Sequence, residues 1–231
     1  MRKKEFSRLI EKTDDGSATL FVPELDEHYH STKGARTESQ HIFVDMGLKA
    51  CTALSPQILE VGFGTGLNAW LTLEEAERSQ RKVRYTGVEL YPLAWKAVEQ
   101  LHYVGGNCQL FKRMHTSPWE KEVELTPHFT LRKIQADINR LVKQGIPLSE
   151  GDGMWKADLI YFDAFAPEKQ PEMWSQELFH GLYVLLNDGG ILTTYCAKGA
   201  VRRMLQTAGF VVERLAGPPG GKREILRGRK P

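Results

Sequence analysis

Residues 58–70 read ILEVGFGTGLNAW and place three glycines, Gly62, Gly64 and Gly66, directly after a short apolar run. The run predicts a buried strand, and the apolar spacing of residues 67–80 predicts a helix. A turn from a strand into a helix lets a ligand approach the backbone, where the helix N-terminus offers free N–H groups. Two interpretations fit this stretch: a loop that holds a nucleotide-like cofactor, or an ordinary tight turn.

The same rhythm of strands and helices continues along the chain from about residue 56. Strands are predicted at residues 58–61, 83–90, 129–137, 157–163 and 191–196, and helices at residues 67–80, 92–101, 138–145, 171–190 and 199–210. Residues 102–128, with their two prolines, read as irregular, and residues 210–228 read as two strands joined by a Pro/Gly loop. The pattern predicts an α/β fold with a mostly parallel sheet and helices on both faces. The last two strands are predicted to pair antiparallel at one side of the sheet.

The first fifty residues do not follow this rhythm. Their short alternating runs, broken by Pro23 and Gly34, predict a small β extension of residues 1–50 that packs on a main domain of residues 51–231. The charged N-terminus lacks the apolar segment of a secretory signal, and no apolar run approaches the length of a membrane span. Cys51, Cys108 and Cys196 show no CxxC spacing, which favours reduced thiols and a cytoplasmic location.

The glycine loop departs from the dinucleotide fingerprint GxGxxG, because Leu67 stands where the last glycine would be. A dinucleotide rests its pyrophosphate on the helix N-terminus. S-adenosylmethionine has no phosphate and carries a positive sulfonium and a positive ammonium group. Glu60 inside the strand, and Asp163 at the end of another strand, place acids near the loop, and we therefore favour S-adenosylmethionine over a dinucleotide.

Two further acids end predicted strands. Glu89 lies 23 residues after Gly66, where a carboxylate can accept hydrogen bonds from both ribose hydroxyls. Asp137 ends another strand and could accept from the amino group of adenine. The alternative for both acids is a helix cap or a solvated loop position. The predicted cofactor-binding residues are Glu60, Gly62, Gly64, Thr65, Gly66, Asn68, Glu89, Asp137 and Asp163.

Several motifs together resemble the methyltransferase domain of the MnmC family. They are EVGFGTGLN, YFDAFAPEKQPEMW, LNDGGILTTY, VRRMLQTAGF and GGKREIL, and the resemblance runs from about Tyr29 to Gly228. It implies a Rossmann-like methyltransferase fold, S-adenosylmethionine as cofactor, and N-methylation of the 5-aminomethyl group of the wobble uridine in tRNA, which is often 2-thiolated. Larger members carry a second, flavin-dependent domain. This chain is expected to be of the stand-alone MnmD type, without a flavin domain, and to act on the tRNA anticodon stem-loop.

Asp163 is the predicted catalytic residue. It ends a buried strand among apolar neighbours, where a carboxylate is usually kept for chemistry or for a fixed hydrogen bond. An alkyl amine with a pKa of about 10 is only about 0.1% neutral at pH 7. Asp163 could orient the amine and accept its proton, although a carboxylate also stabilises the ammonium form. The alternative is a cap of the following turn, in which case the catalytic group is expected around Tyr29 and Glu38.

Residues expected to contact the substrate follow the same strand or lie near the C-terminus. Phe165 and Trp174, with Pro167 between them, could stack on an unstacked base, although Trp174 could equally belong to the core. Residues 196–231 contain nine Lys or Arg and two Glu, which indicates either a phosphate-facing surface or a solvated basic tail. Lys222 and Arg223 are the predicted contacts to anticodon phosphates.

Parts of the sequence also fit other functions. ELDEHYH, residues 24–30, groups acids and histidines, but its spacing fits no strong ligand motif and no metal is expected. A methyltransferase for a small amine or a protein is one alternative, which the basic C-terminal region disfavours. A non-catalytic RNA-binding module on the same fold is another, which the intact glycine loop and Asp163 disfavour.

Overall fold

The computed structural model describes residues 7–104, 108–146 and 155–231, so the first six residues of the predicted N-terminal extension lie outside the described part. The strands are β1 Leu9–Lys12, β2 Ala18–Val22, β3 Glu27–His28, β4 Gln57–Val61, β5 Val83–Val88, β6 Glu122–Thr126, β7 Phe129–Ile134, β8 Ala157–Phe162, β9 Leu186–Thr194, β10 Val211–Ala216 and β11 Glu224–Arg229. The helices are α1 Ala35–Ser39, α2 Leu67–Ser79, α3 Trp95–Val98, α4 Cys108–Thr116, α5 Ile138–Gln144, α6 Gln176–Leu185 and α7 Gly199–Ala208.

Eight strands form the central sheet in the order β10-β11-β9-β8-β4-β5-β7-β6. The five inner strands β9, β8, β4, β5 and β7 are parallel to one another, and β6, β10 and β11 pair antiparallel. From β4 the chain first builds the β5 side and later returns to build the β8 side. The carboxyl end of β4 is therefore the switch point at which ligands bind in open α/β sheets.

Apolar side chains leave the inner strands alternately toward two cores, as the pleat of a strand requires. On β8, for example, Leu159 and Tyr161 join the core that contains α2 and α4, whereas Ile160 and Phe162 join the core that contains α6 and α7. Helices thus cover both faces of the sheet. The predicted α/β class is confirmed, and so is the antiparallel pairing of the last two strands.

The N-terminal segment packs on the α2 side of the sheet. β1, β2 and β3 form a small antiparallel sheet, as the alternating runs predict. Residues 35–50, which were not expected to be helical, form α1, a π-helical turn at Gln40–Asp45 and a 3₁₀ turn at Leu48–Ala50. Ile42 and Phe43 are buried in the same core as Leu71 of α2. This segment is therefore fixed to the rest of the molecule by apolar packing.

Three other predictions of secondary structure differ from the structure. The helix expected from Pro92 begins only at Trp95 and becomes 3₁₀ at Glu99–Leu101. The stretch read as irregular contains α4 and β6. The helix expected to reach the glycines of residues 189–190 ends at Leu185, and β9 begins at once with a bulge that contains both glycines.

No helix within the described ranges is both long and apolar enough to cross a bilayer.

Candidate active site

A cavity of about 450 Å³ opens at the carboxyl ends of the central strands. Its floor comes from the ends of β4, β5 and β8 and from the start of α5, and the N-terminal segment forms the opposite wall. The volume lies within the range of small-molecule sites in proteins, roughly 300–1,000 Å³. The cavity therefore occupies the switch point that the sheet topology singles out.

The backbone of the glycine loop forms one edge of this cavity. Side chains larger than glycine would not fit at two positions of the loop. Gly62 and Gly64 have φ values of +90° and +48°, in the region that favours glycine. A Cβ added to Gly62 would lie 2.5 Å from the carbonyl oxygen of Asp163, and one on Gly64 would lie 3.2 Å from the ring of Tyr29. Gly62, Gly64 and Thr65 line the cavity, whereas Gly66 caps the N-terminus of α2.

Glu89 lines the cavity directly after β5 and is held by two backbone groups. Its Oε2 accepts from the N–H of Gly64 at 3.0 Å, and its Oε1 accepts from the N–H of Tyr91 at 2.8 Å. A carboxylate has about four acceptor sites, so both oxygens keep capacity for a ligand hydroxyl. The capping and ribose-binding interpretations of Glu89 are therefore compatible in this geometry.

Asp137 lines the same cavity and caps α5. Its Oδ1 accepts from the N–H of Asn139 at 2.9 Å. The predicted helix cap therefore uses Oδ1 of Asp137. Asp137 also lines the cavity, and its Oδ2 is the oxygen left for the predicted contact with adenine.

Glu60 and Asp163 are joined by one amide group. The Nδ2 of Asn68 donates to Glu60 Oε1 at 2.9 Å and to Asp163 Oδ2 at 2.8 Å. Asn68 and Asp163 line the cavity, but Glu60 is fully buried behind them. Contrary to the expected direct contact with the cofactor, the structure thus places Glu60 as a support for Asn68.

Two observations test whether S-adenosylmethionine fits this site. The glycine loop forms a cradle at the edge of the cavity, where a side chain at Gly64 would project toward the ring of Tyr29 on the opposite wall. The Oδ1 of Asn68 is buried and has no hydrogen-bond partner in the described part of the chain. A buried acceptor is costly to leave unpaired, and the ammonium of the cofactor is a donor that would satisfy it. The residues present therefore fit the cofactor.

Asp163 has the electrostatics of a group that can exchange a proton near neutral pH. Burial raises its pKa to about 7, the N–H of Asn68 works in the opposite direction, Glu38 raises the pKa and Lys222 lowers it. Burial also raises the pKa of Glu60 well above its usual range. Burial thus disfavours the charged form of both carboxyls, and Asp163 is the one of the two that lines the cavity.

The predicted substrate residues after β8 separate into two groups. Phe165 lines the cavity and meets the ring of Tyr29 edge to face, with ring centroids 5.1 Å apart. Trp174 is 6% exposed, packs against Phe162 at 5.0 Å and donates its Nε1–H to the carbonyl oxygen of Phe165 at 2.8 Å. Pro167 is half-buried outside the cavity lining. Trp174 is thus a core residue that holds Phe165, and it could stack on a base only by leaving the core.

Lys222 and Arg223 also differ from each other. The ammonium of Lys222 faces the cavity, pairs with Glu38 and lies 4.7 Å from the ring centroid of Tyr195. This ion pair competes with the predicted contact between Lys222 and phosphate. Arg223 is exposed at the surface, and its contact with phosphate stays a prediction. Ion pairs engage five of the nine basic residues counted from residue 196 onward: Lys198, Arg214, Lys222, Arg227 and Lys230.

The N-terminal segment forms one wall of the site. The sequence predicts a functional residue in this segment only as the alternative to Asp163. Tyr29 and Glu38 both line the cavity. His30 also lines it, beside the hydroxyl of Thr65 at 3.5 Å, and burial lowers its pKa to about 4, so this histidine is neutral at pH 7. Nothing in the spacing of residues 28–38 announces a cavity wall, because the contact is made across the fold.

No cluster of three or more His, Cys, Asp or Glu side chains suited to a metal ion occurs in residues 7–104, 108–146 and 155–231.

Comparison with known proteins identifies the fold and the chemistry. The model of a family described as S-adenosyl-L-methionine-dependent methyltransferase matches residues 107–231, just over half of the chain. A crystal structure of MnmC2 from Aquifex aeolicus superposes with a TM-score of 0.74 at 26% identity and covers 98% of this chain and 71% of that one. The expected cofactor and the Rossmann-like fold are confirmed.

Curated relatives extend the similarity over most of the chain. The bifunctional protein MnmC of Cupriavidus necator, named for tRNA 5-methylaminomethyl-2-thiouridine biosynthesis, is 32% identical over an alignment of 217 positions, and the match covers 87% of this chain and 31% of that protein. The MnmC of Idiomarina loihiensis is 31% identical over 88% of this chain and 36% of its own length. The chain spans about a third of these relatives. Cavity, glycine loop and family match agree, and the chain belongs to the S-adenosyl-L-methionine-dependent methyltransferase family.

Proposed function

We propose that this enzyme methylates the 5-aminomethyl group of the wobble uridine in tRNA, which converts 5-aminomethyl-2-thiouridine into 5-methylaminomethyl-2-thiouridine, in the cytoplasm. One observation carries the proposal: Asp163, with its pKa near 7, lies in one cavity with the glycine loop and Phe165. Asp163 is a proton acceptor between the glycine loop and the aromatic ring of Phe165, and this arrangement suits an amine attached to a nucleobase. The names of the relatives supply the RNA and the product.

The cofactor half of the cavity has a residue for each part of S-adenosylmethionine. The backbone of the glycine loop would lie along the cofactor, Glu89 would accept from the ribose hydroxyls, and Asp137 would accept from the adenine amino group. Asn68 Oδ1 would accept from the ammonium. When bound, the cofactor supplies a methyl group already activated by the positive sulfur.

In the substrate half, this chain handles the amine and its proton. Asp163 accepts a hydrogen bond from the amine, which directs the nitrogen lone pair, and takes the proton that nitrogen loses as its new bond to carbon forms. Asn68 fixes Asp163 Oδ2 for this step. Phe165 and Tyr29 form an apolar wall that excludes water and offers a face for the base. Most of the rate comes from alignment of an activated donor with the nitrogen.

Replacing Glu89 with alanine is expected to weaken cofactor binding by about 1–3 kcal/mol, the scale of hydrogen bonds to a charged group. The loss has two sources: the ribose contacts, and the anchor of the Gly64 N–H. Isothermal titration calorimetry with S-adenosylmethionine measures it. Glu177→Ala removes an exposed acid on α6 and should leave affinity unchanged. An affinity loss of only a few tenths of a kcal/mol for Glu89→Ala would favour the capping role alone.

The proposed substrate is tested with purified enzyme, S-adenosylmethionine and tRNA that carries 5-aminomethyl-2-thiouridine at the wobble position. Mass spectrometry of the digested nucleosides should show one added methyl group on that nucleoside. The same tRNA with an unmodified wobble uridine is the control and should gain nothing. Methylation of small amines or proteins with the modified tRNA left unchanged would contradict the proposal and favour the other methyltransferase hypothesis.

A further inference from the structure

An ion pair at the cavity joins two distant parts of the chain. Lys222, in the loop between β10 and β11, donates to Glu38 Oε1 of α1, and the other Glu38 oxygen accepts from the N–H of Ser31 at 3.0 Å. The Glu38 side chain is 11% exposed and that of Lys222 is 38% exposed. Both side chains line the cavity that holds Asp163. The Glu38 side chain is largely buried, and its charge is costly to desolvate unless a cation such as Lys222 pairs with it.

The charges around Asp163 can be named element by element. Glu60 on β4 and Asn68 on α2 lie behind it, and burial raises the pKa of Glu60. The N-terminal wall contributes Arg8, Glu27, His28, Tyr29, the neutral His30 and Glu38. The end of β5 is followed by Glu89 and Tyr91, the start of α5 contributes Asp137, and the C-terminal side contributes Tyr195 and Lys222. Among these groups, Glu38 raises the pKa of Asp163 and Lys222 lowers it.

In the proposed complex, the substrate amine is subject to the same electrostatic field from Glu38 and Lys222 as Asp163. A carboxylate next to an amine favours the ammonium form, which has no lone pair for methylation. A fixed ammonium in the same cavity opposes that tendency, because two like charges close together disfavour each other. Lys222 therefore favours the neutral, reactive amine and the ionised Asp163, and it offsets part of the stronger, opposite effect that Glu38 has on Asp163.

We propose that Glu38 and Lys222 are positioning residues that set the charge of the substrate half: Lys222 favours the neutral form of the incoming amine, and Glu38 opposes this effect while it fixes the position of the Lys222 ammonium. This role rests on the proposed function, because it requires an amine substrate in the cavity. It replaces a contact with tRNA phosphate as the task of Lys222. The positive charge of Lys222 thereby limits how far the carboxylates of the cavity stabilise the ammonium form of the substrate.

The test is a set of pH profiles of single-turnover methylation for Lys222→Met, Glu38→Gln and the double variant. Removing the positive charge should move the rising limb up by about one pH unit, which means about a fivefold lower rate at pH 7 and recovery at higher pH. Removing the negative charge should move the limb down. The double variant should return close to the wild-type limb, and Lys222→Arg, which keeps the charge, should keep the profile.

A matched control is Lys169→Met. Lys169 pairs with Asp26 at 3.1 Å and so also ties the N-terminal segment to the main domain, but it does not line the cavity. The pH profile of Lys169→Met should not shift. This result would separate the effect of a charge in the cavity from the effect of losing an ion pair to the N-terminal segment. A lower rate at every pH with an unmoved limb in Lys222→Met would overturn the proposal. If Lys222→Met fails to fold by circular dichroism, Glu38→Gln gives the same test from the opposite side.

The outcomes also separate this role from the proposed function. A wild-type enzyme that leaves 5-aminomethyl uridine in tRNA unmethylated overturns the proposed function, and the role of the pair with it. An active wild-type enzyme whose limb does not respond to either charge overturns the role of the pair alone.

Discussion

Replacing Asp163 with asparagine should slow single-turnover methylation of the modified tRNA by about 10²–10⁴-fold, the usual span for a positioned acid or base. Asparagine keeps the shape and can still meet Asn68, but it cannot take a proton. Cofactor affinity, measured by calorimetry, should change far less. Asp188→Asn, at an exposed position in β9, is the control. Near-normal turnover with saturating cofactor and tRNA would make Asp163 structural and move the search to Tyr29 and Glu38.

The pH dependence of this variant provides a second readout. The wild-type rate should rise as pH increases through about 7, where Asp163 ionises. The variant should lose that limb and regain part of its rate at higher pH, because more substrate amine is then neutral. The stability of the wild-type fold should fall, rather than rise, as the pH increases. The folded-state pKa lies above the usual value near 4, so ionisation destabilises the fold, and Asp163→Asn should melt higher than wild type above pH 7 and equally near pH 4.

Replacing Gly64 with valine should weaken S-adenosylmethionine binding on the order of 100-fold, which corresponds to about 2.7 kcal/mol. The position has a φ of +48°, which a β-branched residue adopts only with strain, and its Cβ would point at the ring of Tyr29 across the cradle. The side chain would occupy space that the cofactor needs next to the backbone. Calorimetry measures the affinity, and circular dichroism should show an unchanged fold.

The matched control for strain alone is Gly189→Val. Gly189 has a φ of +76° with nothing within 4 Å of an added Cβ, and it lies in the bulge of β9. Both variants carry the same kind of backbone penalty, but only one of them fills the cradle. Equal affinities of Gly64→Val and wild type would move the cofactor away from this loop.

The fold was predictable where the pattern is local. The strand before Gly62 and the helix after Gly66 are encoded in thirteen consecutive residues, and the alternation of β and α follows from repeats of that unit. The prediction failed where a neighbour in space decides. β6 forms because it pairs with β7, and Leu186 leaves the helix because β9 must start beside Ala157 of β8. Prolines and glycines near those points were misleading, because they mark bulges and turns as well as helix ends.

The site divides along the same line. Acids at strand ends were predictable, since parallel strands bring their carboxyl ends to one edge, and Glu89, Asp137 and Asp163 do line the cavity. The depth of each side chain was not predictable. Glu60 is buried behind Asn68, Trp174 is buried behind Phe165, and Lys222 turns inward because Glu38 lies opposite. Those facts depend on residues up to 184 positions away in the chain.

The order in which strands lie in the sheet has a consequence for synthesis on the ribosome. β11 inserts between β9 and β10, so β10 has no neighbour in the sheet until Arg229 has been translated and has left the exit tunnel. Until then the loop that carries Lys222 is not held near Glu38, although the glycine loop and Asp163 have been translated much earlier. A nascent chain would therefore assemble its cofactor cradle first and its amine-selecting charge last.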